Sequence, residues 1–107
     1  MKRLALCLPL TLALVLPAGA AGPTQKVRIG DDFFGVKTLT VKKGTTVKWK
    51  WKDTDAPHDV TVQSGPETFK SDLQTSGAFS HKMTKKGTYQ LVCTVHAPDM
   101  AMTLVVR

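Results

Sequence analysis

The sequence predicts an all-β domain, a sandwich of seven to eight short strands. Three observations carry that reading. Apolar and polar residues alternate along most of the chain, glycine-containing turn signals separate the alternating runs, and no stretch shows the period of a helix. The clearest run is Val47-Lys48-Trp49-Lys50-Trp51-Lys52, which places Val47, Trp49 and Trp51 on a buried face and three lysines in water. The lysine face also discourages edge-to-edge pairing.

Taken in order, the first element is not a strand. Lys2 and Arg3 precede an apolar run from Leu4 to Leu16, and Ala18-Gly19-Ala20 supplies the small residues of a cleavage site. Residues 1–20 are therefore expected to be an export signal that is removed, leaving residues 21–107 as one domain in the periplasm or outside the cell. The apolar run falls short of the roughly 20 residues that span a bilayer, and the body of the chain offers no longer one. Cys7 lies within the signal and follows Leu6, where a lipoprotein would carry a small residue, so it reads as a bystander.

Strands are then expected over Lys26–Ile29, Val36–Val41, Val47–Lys52, His58–Gln63, Ala78–Thr84, Thr88–Thr94 and Met102–Val106. Lys43-Gly44 and Lys86-Gly87 read as tight turns, because glycine takes positive φ at no steric cost. Gly65-Pro66 opens a loop from Ser64 to Ser76 in which Phe69 and Leu73 are expected to reach back to the core.

The 107 residues allow one domain and exclude large multidomain enzymes and polytopic membrane proteins. Removing Lys2 and Arg3 from 15 basic residues leaves 13 against 8 acidic, a mature charge of +5. That balance predicts steering toward acidic surfaces on partner proteins, with an association rate that falls as salt rises. Nucleic acid is a poor partner for an exported domain with so few aromatics, and the domain is expected to act as a monomer.

Cys93 is the single cysteine of the mature chain. Exported proteins usually pair their cysteines, so an odd one is intermolecular, reactive or metal-bound. It lies in Tyr89-Gln90-Leu91-Val92-Cys93-Thr94-Val95-His96-Ala97-Pro98-Asp99-Met100-Ala101-Met102, three residues before His96 and seven before Met100. His58 stands far upstream in Ala56-Pro57-His58-Asp59-Val60. A thiolate, two imidazoles and a weak thioether converging at one end of a sandwich match a copper electron-transfer site, whereas zinc seldom recruits methionine.

The segment resembles the copper-binding end of the small cupredoxins, the plastocyanin, pseudoazurin and amicyanin type, in which an upstream His, Cys-x-x-His and a nearby Met ligate one type 1 copper. The resemblance extends over Leu39-Thr40-Val41-Lys42-Lys43-Gly44-Thr45-Thr46-Val47-Lys48-Trp49 and over Phe79-Ser80-His81-Lys82-Met83 through Gly87-Thr88-Tyr89. It implies a Greek-key sandwich, with His58, Cys93 and His96 as equatorial ligands and Met100 as axial ligand. Met102 is the competitor for the axial place; Met100 is favoured because Leu104 and Val106 then fall in step with the following strand. Asp59 departs from the pattern, since relatives usually carry Asn after the first histidine. An ionised Asp accepts hydrogen bonds without donating any, and Thr94 is the donor expected to meet it.

The function implied is single-electron transfer between redox partners, without enzymatic turnover, near an apolar patch to which Ala56, Pro57, Ala97 and Pro98 contribute. A copper chaperone or buffer delivering Cu(I) is the alternative from the same ligands. A Cys–His nucleophile is a third reading that would leave Met100 idle. His81 is expected to be structural, and Met83 and both tryptophans to be core.

Overall fold

The computed structural model describes residues 22–107, so the expected export signal over residues 1–20 lies outside the described residues. Eight strands follow in order: β1 (Thr24–Gly30), β2 (Phe33–Phe34), β3 (Thr38–Val41), β4 (Thr46–Trp51), β5 (Thr61–Ser64), β6 (Ala78–Lys82), β7 (Gly87–Val92) and β8 (Ala101–Val106). They form two four-stranded sheets, one ordered β2-β1-β4-β6 and the other β3-β8-β7-β5. The fold is the all-β sandwich that the alternation predicts. Parallel pairing of β1 with β4 and of β3 with β8 shows that the chain crosses between sheets rather than meandering.

Alternation translates directly into burial. Val47, Trp49 and Trp51 of β4 are buried, as are Val27 and Ile29 of β1 beside them. From the second sheet Tyr89 and Leu91 of β7 and Met102, Leu104 and Val106 of β8 close the core. Burying one such large apolar side chain is worth about 1.5–3 kcal/mol, so the facing rows of β4 and β7–β8 carry most of the fold's stability. Tyr89 also donates its hydroxyl proton to the carbonyl of Lys85 at 2.7 Å, tying the start of β7 to the turn before it. Met83 and both tryptophans lie in the core. His81 pairs with Glu67 and stacks on Phe69, holding the loop after β5 against β6.

Three details differ from the sequence reading. The first is β2, only two residues long, which the two-residue turn Asp31–Asp32 folds back onto β1. Gly30 leaves room for the Phe33 ring that lies across it: a Cβ there would sit 2.2 Å from the ring and push it aside. The second is β5, which begins at Thr61. Upstream of it His58 makes an isolated bridge to Gln74, because Pro57 lacks an N–H and Asp59 spends its side chain on another loop. The third is Leu73, which is half exposed, while Phe69 packs on the core as expected.

Register places the ends of β1, β4 and β7 and the starts of β5, β6 and β8 at one end of the sandwich. The loops Asp31–Asp32, 52–60 and 93–100 therefore meet there.

Candidate metal centre

Cys93 continues β7 by one residue, and its N–H donates to the carbonyl of Met100 at 3.1 Å, one rung beyond the Val92–Ala101 pair. Between those two residues the chain turns tightly. The N–H of His96 donates to the Cys93 carbonyl, and those of Asp99 and Met100 donate to the His96 carbonyl. This coil swings the His96 ring over the Cys93 sulfur.

His58 is fixed from three directions. Its N–H and carbonyl both bond Gln74, at 3.0 and 3.1 Å, and its carbonyl also accepts the indole N–H of Trp51 at 3.1 Å. Asp59 ties this loop to the next: its carboxylate accepts the Thr94 N–H at 2.8 Å and the Thr94 hydroxyl at 2.5 Å. The Thr94 donor expected from the sequence is thus in place, and the Thr61 hydroxyl adds a third donor at 3.3 Å.

The three donors converge. The Nδ1 atoms of His58 and His96 stand 3.2 Å apart, and the Cys93 sulfur lies 3.9 Å from the first and 3.4 Å from the second. His58 and Cys93 are fully buried, whereas the His96 side chain is 29 % exposed. Among the described residues these are the three Cys, His and acidic side chains that cluster with metal-ligand spacing. Met100 and Met102 are both buried. Met100 occupies the rung opposite Cys93, while Met102 pairs with Leu91 further down the ladder.

Two residues that the sequence reading passed over complete the site. Asp31 Oδ1 lies 3.1 Å from His58 Nε2, and Asp32 Oδ1 lies 3.1 Å from His96 Nε2. The backbone N–H groups of Asp55 and Ala56, with His58 adding to them, hold the Asp31 carboxyl down at about 2. The Asp31 carboxylate can only accept, so His58 Nε2 is the donor of that hydrogen bond and, in a neutral imidazole, its Nδ1 carries the lone pair; Asp32 meets His96 Nε2 as a close charge contact. The signal that could have found them is local. A two-residue hairpin turn favours Asn-Gly or Asp-Gly, and this one is Asp-Asp with Asp32 at a φ of 67°.

The Nδ1 atoms of the two imidazoles and the Cys93 sulfur face one space from three sides. An ion about 2.0–2.1 Å from each nitrogen and about 2.3 Å from the sulfur meets all three at the observed spacings. Two imidazoles and one thiolate in trigonal array, with a thioether on the neighbouring rung, suit copper. The donor set therefore fits the metal.

Comparison with known proteins agrees. The chain matches the cupredoxin-like domain family over residues 3–106. Its fold is similar to the Cu(I) form of a methionine-to-alanine variant of amicyanin, with 31% identity and a TM-score of 0.67 over 84% of this chain and 88% of that one. A purple cupredoxin from Nitrosopumilus maritimus shares the fold at 24% identity and a TM-score of 0.66, over 78% of this chain and 99% of that one. A copper-containing nitrite reductase from Thermus scotoductus matches at 26% identity and a TM-score of 0.72, over 88% of this chain but only 25% of the enzyme. With the family matched along almost its whole length, this chain belongs to the cupredoxins.

Proposed function

We propose that this chain is an exported type 1 copper protein that carries single electrons between redox partners in the periplasm, after removal of residues 1–20. The observation that carries the reading is the convergence of His58 Nδ1, His96 Nδ1 and Cys93 Sγ within 3.9 Å of one another. In this reading His58, Cys93 and His96 are the equatorial ligands and Met100 is the axial one. Directly opposed Cβ atoms on paired strands stand about 4.5–5.5 Å apart and diagonal ones about 7–8 Å, which favours Met100, beside Cys93, over Met102.

Bound copper supplies one-electron chemistry between Cu(I) and Cu(II). The protein's share is to hold the donors still. The His58 backbone is bonded to Gln74 and Trp51, and the Cys93 loop is closed on Met100 and Asp59. Such a frame leaves little to rearrange when an electron arrives. His96 is the donor that reaches the surface, and the electron is expected to pass through its edge. The exposed side chains of Phe33, Val95 and Leu73 belong to loops or strand ends at this end of the sandwich. With Ala97 and Pro98 they offer an apolar surface of the kind that weak, transient redox complexes bury.

The acidic partner surface expected from the net charge has a specific match. On the outer face of the β1–β4–β6 sheet, Lys26 lies opposite Lys48 and Arg28 opposite Lys50. Lys82 of β6 lies on the same face, opposite Thr46. Like charges opposed across strands destabilise a sheet, and among the described residues no Lys or Arg makes a salt bridge. A partner carboxylate surface would relieve that repulsion.

A copper chaperone uses the same ligands but must release its ion to another protein. Full burial of His58 and Cys93 favours the shuttle, and it equally disfavours a thiol nucleophile. Loading the purified mature chain with Cu(II) tests the reading: an intense visible thiolate-to-copper absorption is expected, with fast reversible voltammetry. Met100→Gln should alter the spectrum and Met102→Leu should not. A colourless copper complex, or one that cycles only slowly, overturns the proposal.

A further inference from the structure

We propose that the Asp31–Asp32 turn is a two-carboxylate clamp on the imidazole pair, orienting both rings through Nε2 and lowering the reduction potential of copper held at their Nδ1 atoms. The inference rests on the copper reading above and concerns residues that lie outside the ligand set.

Two adjacent residues of one turn reach two ligands that arrive from separate loops. Asp31 contacts His58 and Asp32 contacts His96, each at 3.1 Å. The turn itself is held down. Gly30 and Phe33 pair across it, the Gly35 N–H donates to the Arg28 carbonyl at 2.7 Å, and Asp31 also accepts the N–H groups of Asp55 and Ala56. Asp32 keeps a left-handed backbone, φ 67°, where glycine would cost less. The side chain of Asp32 is 69 % exposed, so burial does not explain its placement.

The chemistry follows from the donors. At His58 the Asp31 carboxylate accepts from Nε2–H, which fixes the tautomer, presents Nδ1 as the lone pair and raises the basicity of the ring; at His96 the Asp32 carboxylate, 3.1 Å from Nε2, favours the proton there through its charge. A more basic ligand favours Cu(II) over Cu(I), so each carboxylate pulls the potential down. The proton stays on Nε2 in both oxidation states. One electron enters or leaves with no proton accompanying it.

The test uses three variants of the mature chain. Asp32→Gly removes the carboxylate and suits a φ of 67°, so it should fold at least as well as the parent. Asp32→Asn keeps an acceptor without the charge, and Asp31→Asn does the same at His58. Two readouts are taken: the potential of the copper-loaded protein, and the imidazole tautomers of the metal-free protein by long-range nitrogen–proton NMR. Outer partners of ligating histidines are typically worth about 10–100-fold in metal affinity. A tenfold loss confined to Cu(II) raises the potential by about 59 mV.

The expected result is a rise of at least that order for Asp32→Gly, with a smaller rise for each Asn variant. The Nε2–H form should also fall at the imidazole that lost its partner, and a merely structural turn would move neither reading. If either Asp32→Gly or Asp31→Asn leaves both the potential and its own imidazole's tautomer unchanged, the clamp is overturned. If the parent itself shows no thiolate-to-copper band, the copper reading falls, and this inference with it. A parent with the band and variants without shifts sinks the clamp alone.

Discussion

Asp59 stands at the junction of the two ligand loops, and replacing it separates charge from geometry. The side chain is buried and accepts three protons: the Thr94 N–H at 2.8 Å, the Thr94 hydroxyl at 2.5 Å and the Thr61 hydroxyl at 3.3 Å. Hydrogen bonds to a charged group contribute about 1.5–3 kcal/mol, against about 0.5–1.5 for neutral pairs. Asp59→Asn keeps the amide oxygen for the Thr94 N–H, and its NH2 group faces the Thr94 hydroxyl, which turns from donor to acceptor. The count of bonds to Thr94 is unchanged and the charge assistance is lost, a cost of about 1 kcal/mol. Asp59→Ala loses every bond. Thr94 is exposed, so water recovers part of the gross value and the net cost is about 2–3 kcal/mol.

Urea unfolding of the metal-free protein at neutral pH reads both variants. With a slope of about 1–3 kcal/mol per molar urea, the Asn variant should shift the midpoint down by about 0.3–1 M and the Ala variant by at least twice as much. A double-mutant cycle with Thr94→Val isolates the hydroxyl bond, because the valine leaves the backbone N–H in place. Equal stability of the Asn variant and the parent would refute the reasoning. So would equal losses in the two variants, or zero coupling to Thr94.

The remaining expectations use the core and the metal. Trp51 and Trp49 are both buried, but the Trp51 indole donates to the His58 carbonyl while that of Trp49 has no partner. Trp51→Phe should therefore cost about 0.5–1.5 kcal/mol more than Trp49→Phe in urea unfolding, and the reverse order would count against the structure. Tyr89→Phe removes the bond to the Lys85 carbonyl, which water can reach at that exposed turn, and should cost about 0.5–1.5 kcal/mol, read the same way. Burial, with Glu67 adding to it, raises the Tyr89 hydroxyl above its ordinary value of 10.0. The unfolded chain then ionises first as pH climbs past 10, and the parent should lose stability there while Tyr89→Phe should lose less, measured as the midpoint against pH. Copper at about a thousand times its dissociation constant should stabilise the fold by about 4 kcal/mol. Titration calorimetry combined with thermal unfolding checks that figure.

How far the sequence could be read depended on the range of the interaction involved. Period-two alternation is a local signal, and Val47, Trp49, Tyr89 and Leu91 announced their burial through it. Strand β2 has two residues and no period to detect. The cluster of His58, Cys93 and His96 was legible because those residues, with Met100, carry unusual chemistry at family spacing. The carboxylates of Asp31 and Asp32 were not, for a different reason. Aspartate in a turn is ordinary, and their contacts with His58 and His96 span 27 residues in the first case and a different sheet in the second. Leu73 failed because an apolar residue in a loop has no periodicity to say which way it faces.

The ligands come from segments that the two sheets hold separately, and this bears on how the site meets its metal. The Asp31–Asp32 turn is part of the β1–β2–β4–β6 sheet, while Cys93, His96 and Met100 are carried by β7, β8 and the loop between them in the other. His58 lies on the crossing from one to the other, bonded to Trp51 of the first sheet and through Asp59 to Thr94 beside the second. None of these bonds needs a metal to form. The donors are thus brought within 3.9 Å of one another by the fold itself. It follows that loosening the frame, as at Asp59 or Trp51, should weaken copper binding without touching a ligand. Replacing His96, whose side chain is part exposed, should cost the metal-free fold little while removing a donor from the site.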